Sequence, residues 1–154
     1  MQIHQPFFSI IIPCFNSENS IKYCVESINQ QEFSDYEIVI LDDGSTDNTL
    51  GVVNELKLHN NRIKVFEHSN HGVSYTRNRG LSIATGKYVL FLDSDDWLHY
   101  RALSIFYRDI NKLSPDCYIY GIKDVSPEGE RGNQMLDRLS GMYPGKIFSR
   151  VYHP

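Results

Sequence analysis

The stretch YVLFLDSDDW, residues 88–97, sets an apolar run directly against an acidic cluster. Val89, Leu90, Phe91 and Leu92 demand burial, while Asp93, Asp95 and Asp96 follow with no basic residue among them. An apolar run without polar alternation has the look of a strand buried on both faces, as in a parallel sheet. FSIIIP (8–13) and EIVIL (37–41) share that character, and IKVFE (63–67) adds a fourth candidate strand. Three carboxylates gathered where a buried strand emerges need a reason.

Helical periods lie between these runs. In ENSIKYCVESINQQ, Ile21, Cys24, Val25 and Ile28 fall on one face, with Ser17 as the expected N-cap. TDNTLGVVNELKL aligns Leu50, Val53 and Leu56, with Ser45 or Thr46 expected to cap. GVSYTRNRGLSIATG is a weaker helix, expected to stop at Gly86. YRALSIFYRDINKL brings Leu103, Phe106, Tyr107 and Ile110 together, DCYIYGI reads as a fifth strand, and SPEGERG as a turn or exposed loop. This strict alternation predicts an α/β fold, a mostly parallel sheet flanked by helices. Residues 134–154 carry apolar side chains without a clean period.

The 154 residues suit a single domain with a substantial core. A net charge of −4 and the lack of any Lys/Arg run argue against nucleic acid as a partner. The apolar runs are too short to span a bilayer, and MQIHQPFFSI lacks the basic start and long apolar stretch of a signal peptide. Cys14, Cys24 and Cys117 are scattered and odd in number, which fits reduced thiols. The expectation is a cytoplasmic protein, with room for peripheral association at the inner face of a membrane. His68 and His71 have no cysteine nearby in sequence and read as polar loop residues before metal ligands.

The polar residues cluster where the predicted strands end. The first strand leaves into Cys14-Phe15-Asn16, the second into DDGSTD (42–47), the fourth into DSDD (93–96). Ligands of open parallel sheets bind outside these carboxyl ends. Asp42, Asp43, Asp47, Asp93, Asp95 and Asp96 would crowd like charges there, and a hard divalent cation, Mg²⁺ or Mn²⁺, would relieve the repulsion. Helix capping accounts for one acid per loop, such as Asp47, but not for both clusters together. GLSIATGKY fails as a phosphate loop: five residues separate its glycines, Tyr88 stands where Ser or Thr belongs, and it precedes a strand. Neither a G-x-G-x-x-G nor a G-x-S-x-G is present.

FSIIIPCFNSENSIKYCVESINQQEFSDYEIVILDDGSTDNTL, followed by NHGVSYTRNRGLSIATGKYVLFLDSDDW, resembles glycosyltransferase family 2, inverting enzymes of the Rossmann-like GT-A fold that use nucleotide-diphosphate sugars. The resemblance covers about residues 7–121, with 122–154 as the start of an acceptor-side region. It implies that Pro13 to Asn16, Phe15 among them, pack beside the nucleoside, and that Asp43, with Asp42 next to it, accepts the imide N–H of the base, usually uracil. It places Asn70 and Arg77 beside the nucleotide and its diphosphate, where a fixed guanidinium fork is apt. It makes DSD the DxD motif: Asp95 ligates the metal, Asp93 stands with it and contacts the ribose or sugar, and Ser94 lies between them at the donor. The metal would offset charge growing on the leaving nucleotide. Phe15 suits either core packing or a wall of the base pocket, and Trp97 suits packing better than a sugar platform.

The family's general base is an Asp or Glu well beyond the DxD, and GKIFSR (145–150) resembles the segment that precedes it. No such acid follows before Pro154, and Asp124, Glu128 and Glu130 come too early. The expectation is a donor-binding portion with the acceptor half truncated. Its function would be transfer of a sugar, from a UDP-sugar by preference, to a glycan or lipid-linked acceptor in surface polysaccharide synthesis. The alternative is a non-catalytic nucleotide-sugar-binding module. A phosphohydrolase built on DDGST would need its nucleophilic Asp after the first strand, where PCFN stands instead.

Overall fold

The structure is a computed structural model that describes residues 4–116 together with the short strand segments 120–121, 124–126, 129–131 and 149–150. These residues fall into two compact units. One is built from Phe33–Trp97 with the chain up to Asn29, the other from Gln30–Glu32 with the chain from Leu98 onward.

The first unit runs β1 (Phe8–Cys14), α1 (Ile21–Asn29), β2 (Tyr36–Asp42), α2 (Thr49–His59), β3 (Ile63–Glu67), α3 (Val73–Ile83) and β4 (Tyr88–Phe91). Its four strands form one wholly parallel sheet in the order β3-β2-β1-β4. Every residue of β1 and β2 is buried, as their unbroken apolar runs predict. β4 is different. Among the described residues it lies at the edge of this sheet, with Val89 38% exposed and only Leu90 fully buried among its four residues. Its apolar character therefore does not signal burial on both faces, since the run cannot reveal how many neighbours a strand has.

α1 buries the four residues its period predicts. α2 buries Val53, while Leu50 and Leu56 are half-buried. α3 approaches β1 closely because Gly80 faces the sheet: a Cβ there would lie 2.5 Å from Ile11 Cγ2 and 3.2 Å from Leu41 Cδ1. Ile11, Val39 and Leu41 form the buried cluster on this side, with Phe66, Ile83, Ala84 and Phe91 against it.

The helix ends correct the sequence reading. Ser17 does not cap α1; its carbonyl accepts the N–H groups of Ser20 and Ile21 while its hydroxyl turns elsewhere. Neither Ser45 nor Thr46 caps α2; Asn48 holds the cap position without a side-chain bond, and Asp47 Oδ1 takes the Thr49 N–H at 3.0 Å. α3 stops at Ile83, three residues before Gly86. Gly86 serves a close approach instead, since a Cβ there would meet Ser9 N at 2.6 Å.

In the second unit, α4 (Ala102–Leu113) buries Ala102, Leu103, Phe106 and Ile110 but leaves Tyr107, assigned to the same face from sequence, 41% exposed. Gln31 is stitched to the start of this helix, donating to His99 O at 2.8 Å and accepting from Leu103 N at 3.0 Å. Of the expected fifth strand, DCYIYGI (116–122), the described residues Tyr120–Gly121 form β5, which pairs in parallel with β8 (Ser149–Arg150), while 117–119 and 122 lie outside the described residues. SPEGERG (126–132), read as a turn or exposed loop, holds the end of β6 (Asp124–Ser126) and β7 (Gly129–Arg131), which pair antiparallel; 127, 128 and 132 lie outside the described residues.

The chain steps from β1 to β2 to β3 in one direction, and β4 then returns to the far side of β1. The carboxyl ends of β1 and β4 thus flank a topological switch point, the place where α/β sheets bind ligands.

Candidate functional site

Loops after β1, β2 and β4 and the loop leading into α3 meet at that edge. Asn16, with φ 51°, turns the chain after β1 through the left-handed region that Asn tolerates. Its N–H donates to Ser45 Oγ at 2.9 Å, and its Oδ1 accepts from Thr46 N at 2.8 Å. Ser17 N donates to Thr49 Oγ1 at 2.7 Å, Glu18 N to Asp47 Oδ2 at 3.1 Å, and Asn48 N to Glu18 Oε2 at 2.8 Å. The first two loops are therefore one interlocked body. Ser17 Oγ also meets Ser94 Oγ at 2.7 Å, tying that body to the DSD loop after β4.

The acids of the β2 loop are held by N–H and O–H donors, not crowded into one cage. Asp42 is buried and accepts from Ser45 N at 3.1 Å and from the Ser45 hydroxyl. Asp43 is 4% exposed; Oδ1 accepts His71 N–H at 2.7 Å and Oδ2 accepts Gly72 N–H at 2.9 Å. Burial pushes the Asp47 carboxyl up, but bonds from Thr49 and Glu18 outweigh it and hold the group below its usual range. The expected repulsion is thus absorbed largely by the chain itself. Among the described residues no group of three His, Cys, Asp or Glu stands ready for a metal.

The β4 loop is the more open part. Asp95 is exposed. Asp93 Oδ1 accepts from Arg77 Nη2 at 2.6 Å, with the two side chains 50% and 36% exposed. Arg77 Nε is buried without a partner, so the guanidinium has donor capacity left. Of the other predicted residues, Pro13 is buried in β1 opposite Leu41, Phe15 is 48% exposed and so not a core residue, Asn70 is exposed and Ser94 half-buried. Gly44, at φ 72°, lets the β2 turn approach the Asn70 backbone, where a Cβ would come within 2.7 Å of its nitrogen. Asp43 and the α3 loop, Arg77 and Asp93, and Ser94 and the β1 loop are the pairs brought together.

Sequence reasoning missed the latch made by Ser17, Glu18 and Ser45, and the place of His68. Its Nε2 lies 3.3 Å from Asp43 Oδ1. Burial above all, then Arg79, pull the His68 pKa below its ordinary value against the opposing field of Asp43. Cys14 and Cys24 are free thiols whose pKa values burial raises, so both stay protonated. Cys24 Sγ donates to Asp93 O at 3.6 Å, a support for the DSD loop.

A parallel α/β unit with polar loops converging on its switch point is a nucleotide-site architecture. The sequence model of glycosyl transferase family 2 matches residues 9–153, and the chain belongs to that family. It is 38% identical over 129 residues to a chondroitin synthase of Pasteurella multocida, covering 82% of this chain and 13% of that protein. It is 39% identical over 157 residues to the GalNAc(5)-diNAcBac-PP-undecaprenol beta-1,3-glucosyltransferase of Campylobacter jejuni, covering 94% of this chain and 51% of that one. S. aureus TarS 1–349, solved in complex with UDP-GlcNAc, superposes with a TM-score of 0.75 at 34% identity over 82% of this chain and 36% of that chain. The fold is GT-A, and the chain spans between 13% and about half of these relatives' lengths.

The donor set suits a particular kind of metal binding. A Mg²⁺ or Mn²⁺ ion that shares a diphosphate takes one or two carboxylates from protein. Exposed Asp95, with Asp93 beside Arg77, fits that demand; an all-protein cage does not fit.

Proposed function

We propose that this chain is the donor-binding core of an inverting glycosyltransferase, moving a sugar from a nucleoside diphosphate, UDP by preference, to a glycan or lipid-linked acceptor in surface polysaccharide synthesis at the cytoplasmic face of a membrane. Residues 7–121 supply the core, and 122–154 open the acceptor-side region. The observation that carries it is the placement of a cation with spare donors, Arg77, against DSD at the switch point. The binding of UDP-GlcNAc by TarS supports the choice of base.

Arg77 would redirect its fork from Asp93 to the diphosphate, and Asp93 would turn to the ribose or the ion. Asp95, with Asp93, would hold Mn²⁺ or Mg²⁺, which when bound offsets the negative charge on the leaving diphosphate. Pro13, Phe15 and Asp42 would border the nucleoside, Asp43 would read the base, and Asn70 and Ser94 would border the nucleotide. In an inverting displacement the acceptor oxygen attacks the anomeric carbon opposite the diphosphate, which departs with the bonding pair, and the acceptor's proton passes to the family's Asp or Glu base, a role assigned to no residue of this chain.

The test is calorimetric titration with UDP and UDP-sugars, with Mn²⁺ and with EDTA, on wild type and Asp95→Ala. Binding that requires both metal and Asp95 supports the proposal. A folded protein that binds no nucleotide under either condition overturns it. Binding without transfer to any acceptor would favour a non-catalytic nucleotide-sugar-binding module.

A further inference from the structure

Ser17 stands where a helix cap was expected, yet its hydroxyl meets the DSD loop instead of the first turn of α1. The residue is 7% exposed, and its main chain is fixed by three bonds. Its N–H donates to Thr49 Oγ1 at 2.7 Å, and its carbonyl accepts from Ser20 N at 3.1 Å and from Ile21 N at 3.0 Å. From this fixed position Ser17 Oγ lies 2.7 Å from Ser94 Oγ. It also has Phe15 O at 3.3 Å, so it can donate to that carbonyl while accepting from Ser94. The Ser94 side chain hydrogen-bonds Cys14 as well, at the end of β1.

Burial alternates along the DSD loop. Asp93 and Asp95 are exposed, and Ser94 between them is half-buried. A second hold acts on the backbone: Asp93 O accepts from Asp96 N at 3.0 Å, which closes the turn, and from Cys24 Sγ of α1 at 3.6 Å. The turn is thus seated by its one inward side chain and by one carbonyl. None of these contacts uses the carboxylate of Asp93 or Asp95, so the seat fixes the turn without occupying either acid.

We propose that Ser17 is a positioning residue for the divalent ion: through Ser94 it holds the DSD turn in the shape that presents Asp93 and Asp95 to a metal shared with a diphosphate. This rests on the donor-binding function proposed above and deepens it. A loose turn would have to be ordered when the ion binds, and that cost subtracts from affinity. Outer contacts that orient metal ligands typically carry about 10–100-fold in metal affinity. Ser17 acts only through the turn, so its effect falls on the metal-dependent part of nucleotide binding.

The experiment measures UDP affinity by calorimetry, in Mn²⁺ and in EDTA, for wild type, Ser17→Ala, Ser94→Ala and the double variant. Ser17→Ala leaves the main-chain bonds at this position intact, so the fold is retained. Its UDP affinity in Mn²⁺ should fall about tenfold, while its affinity in EDTA stays within about twofold of wild type. The double variant should lose no more than Ser94→Ala alone, since the two hydroxyls act as a pair. A merely structural role would weaken binding equally with and without metal, and its loss would add to that of Ser94→Ala. Hydrogen exchange in EDTA supplies a reading that needs no ligand: the Asp96 amide, bonded to Asp93 O, should exchange faster in Ser17→Ala than the change in global stability explains. Unchanged protection of that amide, or equal losses of UDP affinity in Mn²⁺ and in EDTA, overturns the proposal. Wild-type protein that binds no UDP is a different outcome. It removes the donor-binding function and the metal role of Ser17 with it, while the Asp96 amide still tells whether Ser17 holds the turn.

Discussion

Arg77 of α3 and Asp93 of the DSD loop are joined at 2.6 Å, so the cation and the first acid of DSD neutralise each other. Both side chains reach solvent, 36% and 50% exposed, and an ion pair of this kind is worth at most about 1 kcal/mol of stability. Its weight falls on function instead. Arg77→Ala should leave the unfolding free energy within about 1 kcal/mol of wild type. It should weaken UDP binding at least about tenfold, because a charge-assisted contact to diphosphate is lost. Parallel urea denaturation and calorimetry would check this. A large stability loss without an affinity change would reverse the assignment.

Glu37 yields a prediction about acid. It is buried near the amino end of β2, where Ser9 Oγ, Thr85 N and Thr85 Oγ1 reach Oε1 and Lys64 Nζ lies 2.6 Å from Oε2. Burial raises its pKa, but the bonds from Lys64, Ser9 and Thr85 prevail and bring it to about 2, from 4.5. A carboxylate depressed by folding contributes stability that is fully present above its unfolded pKa and is lost as pH falls through the folded one. The window is thus about pH 4.5 down to 2. Lys64 is half exposed, so the amount at stake is on the order of 2 kcal/mol. Glu37→Gln should be less stable at pH 6 and lose less on acidification across that window. Urea midpoints measured from pH 6 to 2 should show the two curves converging; parallel curves would exclude the linkage.

Much of this could be read in the chain, and what could not has a physical cause. β1 and β2 were legible because seven consecutive residues in each are buried. β4 reads the same way but among the described residues pairs with β1 alone and buries only Leu90, because an apolar run does not reveal how many neighbours a strand has. DSD and Arg77 could be picked out from sequence, and the fold brings Arg77 Nη2 within 2.6 Å of Asp93 Oδ1. The fate of the β2 acids was not. His71 and Gly72 lie 28 and 29 residues beyond Asp43, and the Glu18 N–H that reaches Asp47 lies 29 residues before it. A cluster of Asp in sequence therefore suggested mutual repulsion, where the fold supplies each with N–H donors. The capping errors at Ser17 and Thr46 have the same origin, hydroxyls spent on other loops at Ser94 and Asn16, whereas the Ser45 hydroxyl goes to Asp42 within its own loop.

Gly80 fixes the distance between α3 and the sheet. With a Cβ placed 2.5 Å from Ile11 Cγ2, Gly80→Ala must displace the helix or Ile11, and overpacking of this sort costs about 1–3 kcal/mol. The better helix propensity of Ala returns only about 1 kcal/mol. The variant should melt several degrees lower. Because Arg77 sits one turn earlier on the same helix, UDP affinity should drop alongside. Calorimetric melting with and without UDP would show both effects; an Ala variant as stable as wild type would mean the helix packs less tightly than described.

Gly44 and Gly72 separate strain from collision. Both have positive φ, 72° and 86°, so Ala at either position carries a backbone penalty of about 1–3 kcal/mol. Only at Gly44 does the new Cβ also strike backbone, 2.7 Å from Asn70 N and 3.3 Å from His68 O; at Gly72 it meets nothing within 4 Å. Gly44→Ala must therefore push the segment from His68 to Asn70 away from the β2 turn, and the His71 and Gly72 N–H groups move off Asp43 with it. Gly44→Ala should be the less stable of the two, and its His71 and Gly72 amides should exchange with deuterium markedly faster than in wild type. In Gly72→Ala those amides should stay protected relative to the lower global stability, because the bonds to Asp43 are not displaced. Equal exchange at these two amides in both variants would mean that the Asp43 carboxylate, not the turn at Gly44, holds the loop in place.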